Sequence, residues 1–343
     1  MREVVITTLV FIALSLLIYI LMAAQTLFLP LVLAFVISYV IITFSQAIEK
    51  LSVFNFKLPR KLVYPATMIT LLLITTFFFF VVSQNVAHLV NQAPAYQAKL
   101  QEMIESLFQY FKIKTRPDFS QFFRDFDFFN LATSIVGTLT EIASYAGLIT
   151  IYVVFFVLEY SYFEDKLHTL CKTENRYKEV ARMLSHINEQ IQSYLKIKTL
   201  LSFLTGMLSY GVLSLIGVDS PGFWAFLIFV MNYIPTIGSI IATFFPCLLT
   251  LLQFGELAPF LTVTISLIII QVFVGNYLEP RIMGKSFNLS GLFILFFLAV
   301  WGYIWGVLGM FLCVPIMMII TIVLANFKET RPVAVALSQD GNV

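Results

Sequence analysis

The chain has 343 residues, of which 59% are hydrophobic and 12% charged, and a formal net charge of +2. Soluble domains carry about 25% charged residues, so this composition excludes a water-facing globule and places much of the surface against lipid. The small positive charge, with no basic stripe, argues against a nucleic-acid partner.

The first apolar run covers residues 4–24 and is longer than the roughly 7–15 residues of a signal-peptide core. It reads as a retained first span. Residues 27–48 form the second, with Pro30 near the first turn, where proline is tolerated. Residues 62–83 form the third. A polar stretch over 84–141 follows, then a fourth span at 142–158, a second polar stretch over 159–198, and a fifth span at 199–218. Both polar stretches carry amphipathic helices. In one, Leu100, Met103, Ile104, Leu107, Phe108 and Phe111 share a face. In the other, Val180, Met183, Leu184, Ile187, Ile191, Tyr194 and Leu195 do.

Charge sets the orientation. Lys50, Lys57, Arg60 and Lys61 crowd the second loop against Glu49 alone, a cytoplasmic signal. The N-terminus is then cytoplasmic, the 84–141 region external, and the 328–343 tail cytoplasmic.

Three apolar blocks remain, at 223–254, 259–274 and 289–327. The first is broken at Asn232-Tyr233-Ile234-Pro235-Thr236-Ile237-Gly238-Ser239, the third around Gly302, Gly306 and Gly309. A proline in a helix interior removes a backbone hydrogen bond, and at bilayer depth the freed groups need protein or water partners. Two threadings stay open: three simple crossings, or two oppositely oriented re-entrant hairpins with only 259–274 crossing between them. The hairpin threading puts Arg281 and Lys285 in the cytoplasm, as the charge rule prefers. It also has the broken-helix architecture of secondary transporters.

The Asn232–Ser239 run resembles a signature of the autoinducer-2 exporter family. So does Gly275-Asn276-Tyr277-Leu278-Glu279-Pro280-Arg281-Ile282-Met283-Gly284-Lys285. Trp301-Gly302, Gly306, Gly309 and Val314-Pro315 look like that family's last block, and Tyr194-Leu195-Lys196-Ile197-Lys198-Thr199 like its way into the fifth span. The resemblance is closest to the branch that exports the quorum-sensing signal. It implies an all-α, polytopic inner-membrane protein with about eight hydrophobic segments, acting as a homo-oligomeric secondary transporter. Its divisions would be N-terminal spans 1–83, an external region 84–141, a fourth span with cytoplasmic helix 142–198, a transport core 199–327 and a tail 328–343. Its partners would be lipid, a small polar solute, and sodium or protons.

Candidate substrate or ion contacts are Asn232, Pro235, Thr236, Gly238, Ser239, Asn276, Glu279 and Arg281. The two asparagines offer amide groups to a polar solute or cation, or else bond neighbouring helices. The Pro235 break frees backbone groups beside the Thr236 and Ser239 hydroxyls. Pro280 restricts Glu279 to extended backbone and is expected to end the preceding helix. Glu279-Pro280-Arg281 is then a gate or solute contact, or a salt-bridged surface turn. Gly302, Gly306, Gly309 and Pro315 belong to hairpin or helix packing; Gly302 and Gly306 match the small-residue packing pattern.

Little else carries chemistry. Gly284-Lys285-Ser286 mimics the end of a phosphate-binding loop, but Glu279 stands where that loop needs glycine, so no nucleotide hydrolysis is expected. His88, His168 and His186 lack metal spacing. Cys171, Cys247 and Cys313 are too dispersed for a disulfide framework. No cofactor, metal site or enzymatic activity is expected. Between Thr199 and Leu278 only Asp219 and Glu256 are charged, so proton coupling would fall to Glu279 or another edge carboxylate. The leading function is export of a small polar molecule, autoinducer-2 above all, by alternating access. The alternatives are a sodium/proton antiporter on the same scaffold and a non-transporting membrane scaffold.

Overall fold

The computed structural model describes residues 2–50, 68–69, 76, 84–85, 91–92, 94–96, 98–99, 102–103, 105, 145–160, 162–171, 173–283 and 288–341. The expected third span at 62–83 and most of the 84–141 region, including its amphipathic face, lie outside the described residues. So does the Gly284-Lys285-Ser286 stretch. Among the described residues every regular element is helical. Five helices are long and apolar enough to cross a bilayer, or six if one bent pair is a single span.

Helices α1 (Arg2–Ala23) and α2 (Gln25–Lys50) match the first two expected spans. The fourth appears as α3 (Ala146–Tyr160), bent by 62° from the short amphipathic α4 (Phe163–Leu170). The polar stretch and fifth span, read as separate, form one helix, α5 (Glu174–Ile216), of 43 residues. At 1.5 Å per residue it runs about 65 Å, twice a bilayer's hydrocarbon thickness. Nothing in its sequence stops it: no proline lies inside, and the apolar stripe continues in register.

Beyond α5 come α6 (Pro221–Met231), α7 (Ile237–Phe254) and α8 (Leu257–Gln271). A π-helical segment, Val272–Leu278, leads from α8 into α9 (Glu279–Met283). Glu279 is helical there, with φ −58° and ψ −51°, so Pro280 does not end the helix as the sequence suggests. The wider π turn is the physical reason. The Glu279 amide reaches back five residues to the Val274 carbonyl, and the looser coil tolerates a proline that an α turn would reject. The crossing expected at 259–274 is therefore a longer run, Leu257–Met283, of 27 residues. Last come α10 (Gly291–Ala325) and α11 (Arg331–Leu337).

The chain divides into two compact units. Met1–Leu73, Ser144–Tyr194 and Lys285–Val343 form one. Here α2 packs on α3 around Ala34, Ile41, Ile149 and Val153. The α1–α2 corner, through Leu21, Met22, Phe28 and Leu29, packs against Ile304, Trp305 and Leu312. Helix α10 is a hairpin and not one rod. Trp305 and Gly306 leave helical geometry, Gly306 at φ 63° and ψ −143°, a region open essentially to glycine alone. Beyond it the chain doubles back, bringing the Cys313 thiol within 3.9 Å of the Ile294 carbonyl. Residues so far apart in a straight helix would be separated by about 28 Å. Alpha-helical length alone would let α10 cross a membrane, but the reversal means it does not do so as one piece. A Cβ on Gly309 would overlap the Trp301 carbonyl, and one on Gly302 would press on Met310, so these two glycines let the arms touch. Pro315 lies inside the second arm. At the base the tail folds back: Ser290 N–H donates to the Leu337 carbonyl at 2.9 Å and Gln339 N–H to Asn288 Oδ1 at 3.0 Å.

Ile74–Ala143 and Leu195–Gly284 form the second unit. Its core joins Leu213, Phe223, Trp224, Ile228, Ala242, Leu249, Leu252, Val263 and Leu267. Helices α6 and α7 are its hairpin, with Trp224 and Phe245 stacked at 6.4 Å across the two arms. The base of this hairpin is closed by Gln253, which accepts from the Asp219 N–H at 2.8 Å and donates to the Gly217 carbonyl at 2.8 Å.

Both hairpins thus have one glycine where a side chain is sterically refused, Gly238 and Gly309, and one tip of strained backbone. Gly306→Ala should cost about 1–3 kcal/mol and lower the melting temperature of the detergent-purified protein. Gly147→Ala in α3, where an added Cβ meets nothing, should leave it level or higher. Equal melting temperatures for the two variants would contradict this account of the tip.

Candidate functional site

The first hairpin's tip is built from the sequence break itself. Helix α6 ends because Pro235 has no N–H, and the chain closes through Ile234 N–H to the Met231 carbonyl at 2.9 Å. Thr236 then sits at φ 60° and ψ −61°, bridged by Ile237 N–H to the Pro235 carbonyl at 2.6 Å. This is a γ-turn of the rare, positive-φ kind, and for a β-branched residue it is strained. The Ser239 hydroxyl donates to the Thr236 carbonyl at 2.9 Å, satisfying a group the break set free. Gly238 is buried so tightly that a Cβ would overlap the Met231 carbonyl. Pro235, Gly238 and Ser239 therefore shape the turn, and the Thr236 side chain is exposed.

Asn232 closes α6 and is 4% exposed. Its side-chain N–H donates to Ser202 Oγ on α5 at 3.1 Å, and its Oδ1 accepts from Gln271 Nε2 on α8 at 3.4 Å. One turn away, Tyr233 and Thr199 hydroxyls meet at 2.7 Å. Thr199 donates to the Leu195 carbonyl at 2.6 Å, so the proton between the two comes from Tyr233. Next on α5, Lys198 is 4% exposed and its Nζ lies 2.6 Å from Glu279 Oε1. A polar seam thus runs from Glu279 and Lys198 through Thr199 and Tyr233 to Ser202, Asn232 and Gln271, within helices otherwise apolar. Thr205 and Ser209 continue buried along the same helix.

Of the expected site residues, Asn232 and Glu279 lie in this seam. Asn276 does not: it falls on the π segment with its side chain exposed. Arg281 is exposed too, its guanidinium 4.4 Å over the Tyr277 ring, a cation–π contact. Glu279, offered by the sequence as a gate or solute contact or as part of a salt-bridged turn, forms an ion pair with the buried Lys198 ammonium. Lys198, Ser202 and Gln271 were absent from the sequence-derived set. The signal for Lys198 was available: stepping by three and four from Ile187, Ile191 and Tyr194 lands on Lys198, Leu201, Ser202 and Thr205, so the buried stripe passes through the lysine.

A second polar cluster marks the other end of α5. The Tyr96 hydroxyl donates to Asp219 Oδ2 at 2.5 Å, and Trp224 Nε1 to the Asp219 carbonyl at 3.2 Å. Burial first, and the Asp219 carboxylate second, push the Tyr96 phenol above its ordinary pKa, so it stays a neutral donor. Beside this cluster an open cleft of about 570 Å³ is lined by Gln84, Asn85, Ser214, Gly217, Asp219 and Pro221. Ser214 lies about 24 Å along the helix from Lys198, so cleft and seam are separate features.

The ion pair has a measurable consequence. Removing one partner of a buried pair strands the other charge, whereas replacing both is often neutral. Lys198→Met alone should destabilise by about 3–5 kcal/mol. The K198M/E279Q pair should recover most of that, read as melting temperature in lipid nanodiscs. Equal losses in single and double variants would mean the pair is not coupled.

The family model described as AI-2E family transporter matches residues 6–329. A Borreliella burgdorferi protein, named only provisionally as a transport protein, is 32% identical over 261 residues, covering 74% of this chain and 70% of its own length. The AI-2 transport protein TqsA of Escherichia coli is 32% identical over 208 residues, covering 61% of this chain and 60% of its own.

Proposed function

Because the chain belongs to the AI-2E family of transporters, we propose that it exports a small polar molecule across a bacterial inner membrane by alternating access. Autoinducer-2 heads the candidates, on the name of the Escherichia coli relative. In this reading the α6–α7 hairpin re-enters from outside and the α10 hairpin from inside. The Leu257–Met283 run crosses between them, and both termini are cytoplasmic. Residues 199–327 act as the transport core and the preceding spans as scaffold.

The observation that carries the reading is Asn232. A buried carboxamide at the break of a short helix, bonded to side chains on two other helices, sets an exchangeable polar group among apolar helices. Helix α6 has 11 residues, about 16 Å, roughly half the hydrocarbon core. Its tip therefore ends at depth, where Asn232, Ser202 and Gln271 can trade their bonds to each other for bonds to a polyhydroxylated solute. Alternating access would expose this seam first to one side and then to the other. The sodium/proton alternative takes second place, because Glu279, the carboxylate it would use, is already bound to Lys198.

The test is exchange of labelled autoinducer-2 in proteoliposomes. Asn232→Ala leaves Ser202 and Gln271 without their partner, a loss of about 1–3 kcal/mol, and should slow exchange roughly tenfold or more. Thr262→Ala, whose hydroxyl bonds only its own helix at Ala258, should exchange at the parent rate. Full activity in Asn232→Ala would refute the assignment.

A further inference from the structure

We infer that Lys198 is a masked anion-binding group, and that Glu279 stands in for an anionic oxygen of the cargo until the cargo arrives. This rests on the seam being the solute path, and it adds a substrate class: small solutes bearing a carboxylate, phosphate or similar oxyanion.

An ammonium has three N–H donors. The Lys198 side chain is 5% exposed, and among the described residues Glu279 supplies its one hydrogen bond. Buried polar groups are otherwise bonded as fully as geometry allows. A buried ammonium bonded to one carboxylate oxygen has the capacity for further oxygen ligands.

The groups around the pair are Lys198 on α5, Glu279 on α9 and, two residues beyond it, Arg281 held over Tyr277; Lys196 lies exposed on α5. No further carboxylate lies on the segments 195–218 or 221–283 near this end, where Asp219 and Glu256 sit at the far ends of their helices. Leaving Lys196 aside, Lys198 and Arg281 face Glu279 alone among these described residues, a positive excess that draws in an anion and opposes a cation.

Of the two partners Glu279 is the more accessible, at 22% against 5%, and it sits immediately after the π segment Val272–Leu278. Returning a π turn to α geometry shifts the register of everything beyond it by about one residue, some 100° of rotation. That motion would carry the Glu279 carboxylate off Lys198 and leave the ammonium open. The pair therefore keeps the empty site neutral, and an incoming anion takes the place the carboxylate vacates.

Binding tests this without any flux measurement, so it fails independently of the exchange assay. Full-length protein in lipid nanodiscs is titrated calorimetrically with inorganic phosphate and acetate, and with ribose as a neutral polyol. Glu279→Gln removes the internal competitor and should tighten phosphate or acetate binding at least about tenfold over the parent. Lys198→Arg should keep anion binding, because the charge remains. The K198M/E279Q protein, which retains a neutral and foldable pair, should lose it. Ribose affinity should not follow this order. Anion binding that weakens in Glu279→Gln, or that persists in K198M/E279Q, would overturn the inference, as would the absence of anion binding in Glu279→Gln.

Discussion

A broken helix frees polar backbone groups that apolar surroundings cannot satisfy, and both breaks in this protein's C-terminal half answer that constraint. The chain meets the constraint twice with a helical hairpin, the first tip bonded within its own turn and the second to a neighbouring helix. In the first, Pro235, Thr236 and Ile237 form a strained γ-turn and Ser239 returns a hydroxyl to the Thr236 carbonyl. In the second, Gly306 adopts backbone closed to other residues, and Trp305 reaches the Leu21 carbonyl at 3.2 Å. Each tip has a glycine, Gly238 or Gly309, that lets the arms close to backbone contact. Strain of this sort persists only where the surroundings hold it, and each hairpin is also fastened at its base, by Gln253 in one and by the folded-back tail in the other.

Around the first tip the same constraint extends to side chains. Asn232, Ser202, Gln271, Tyr233 and Thr199 satisfy one another, and Lys198 and Glu279 cancel one another's charge. Such a seam is expensive in lipid, and apolar residues of similar size would hold the helices together at lower cost. Its presence on four helices, α5, α6, α8 and α9, beside a π segment of a type often found at functional sites, is what the proposed cargo path rests on.

Much of this was legible in the sequence. Pro235, and the spacing of Gly302, Gly306 and Gly309, marked both breaks, because proline and glycine act locally through backbone geometry. Asn232 stood out as an amide inside an apolar run. What escaped was whatever depends on long-range pairing or on helix type. Lys198 looked like the cytoplasmic end of a polar stretch until its stripe was followed into the span, and its partner is 81 residues away. Pro280 looked like a helix terminator because the rule assumes α geometry; the π turn before it has no sequence period to announce it. For the same reason Asn276 was grouped with Asn232, although the π segment turns it outward.

The central claim is that the Asn232 tip lies at membrane depth and meets water from each side in turn. Thr236→Cys, made in protein whose Cys171, Cys247 and Cys313 are replaced by alanine, measures this directly with a membrane-impermeant thiol reagent in sealed vesicles of both orientations. The account predicts labelling from both faces, with the balance shifting when solute is added. A cysteine labelled from one face only, whatever the solute, or from neither, would contradict it.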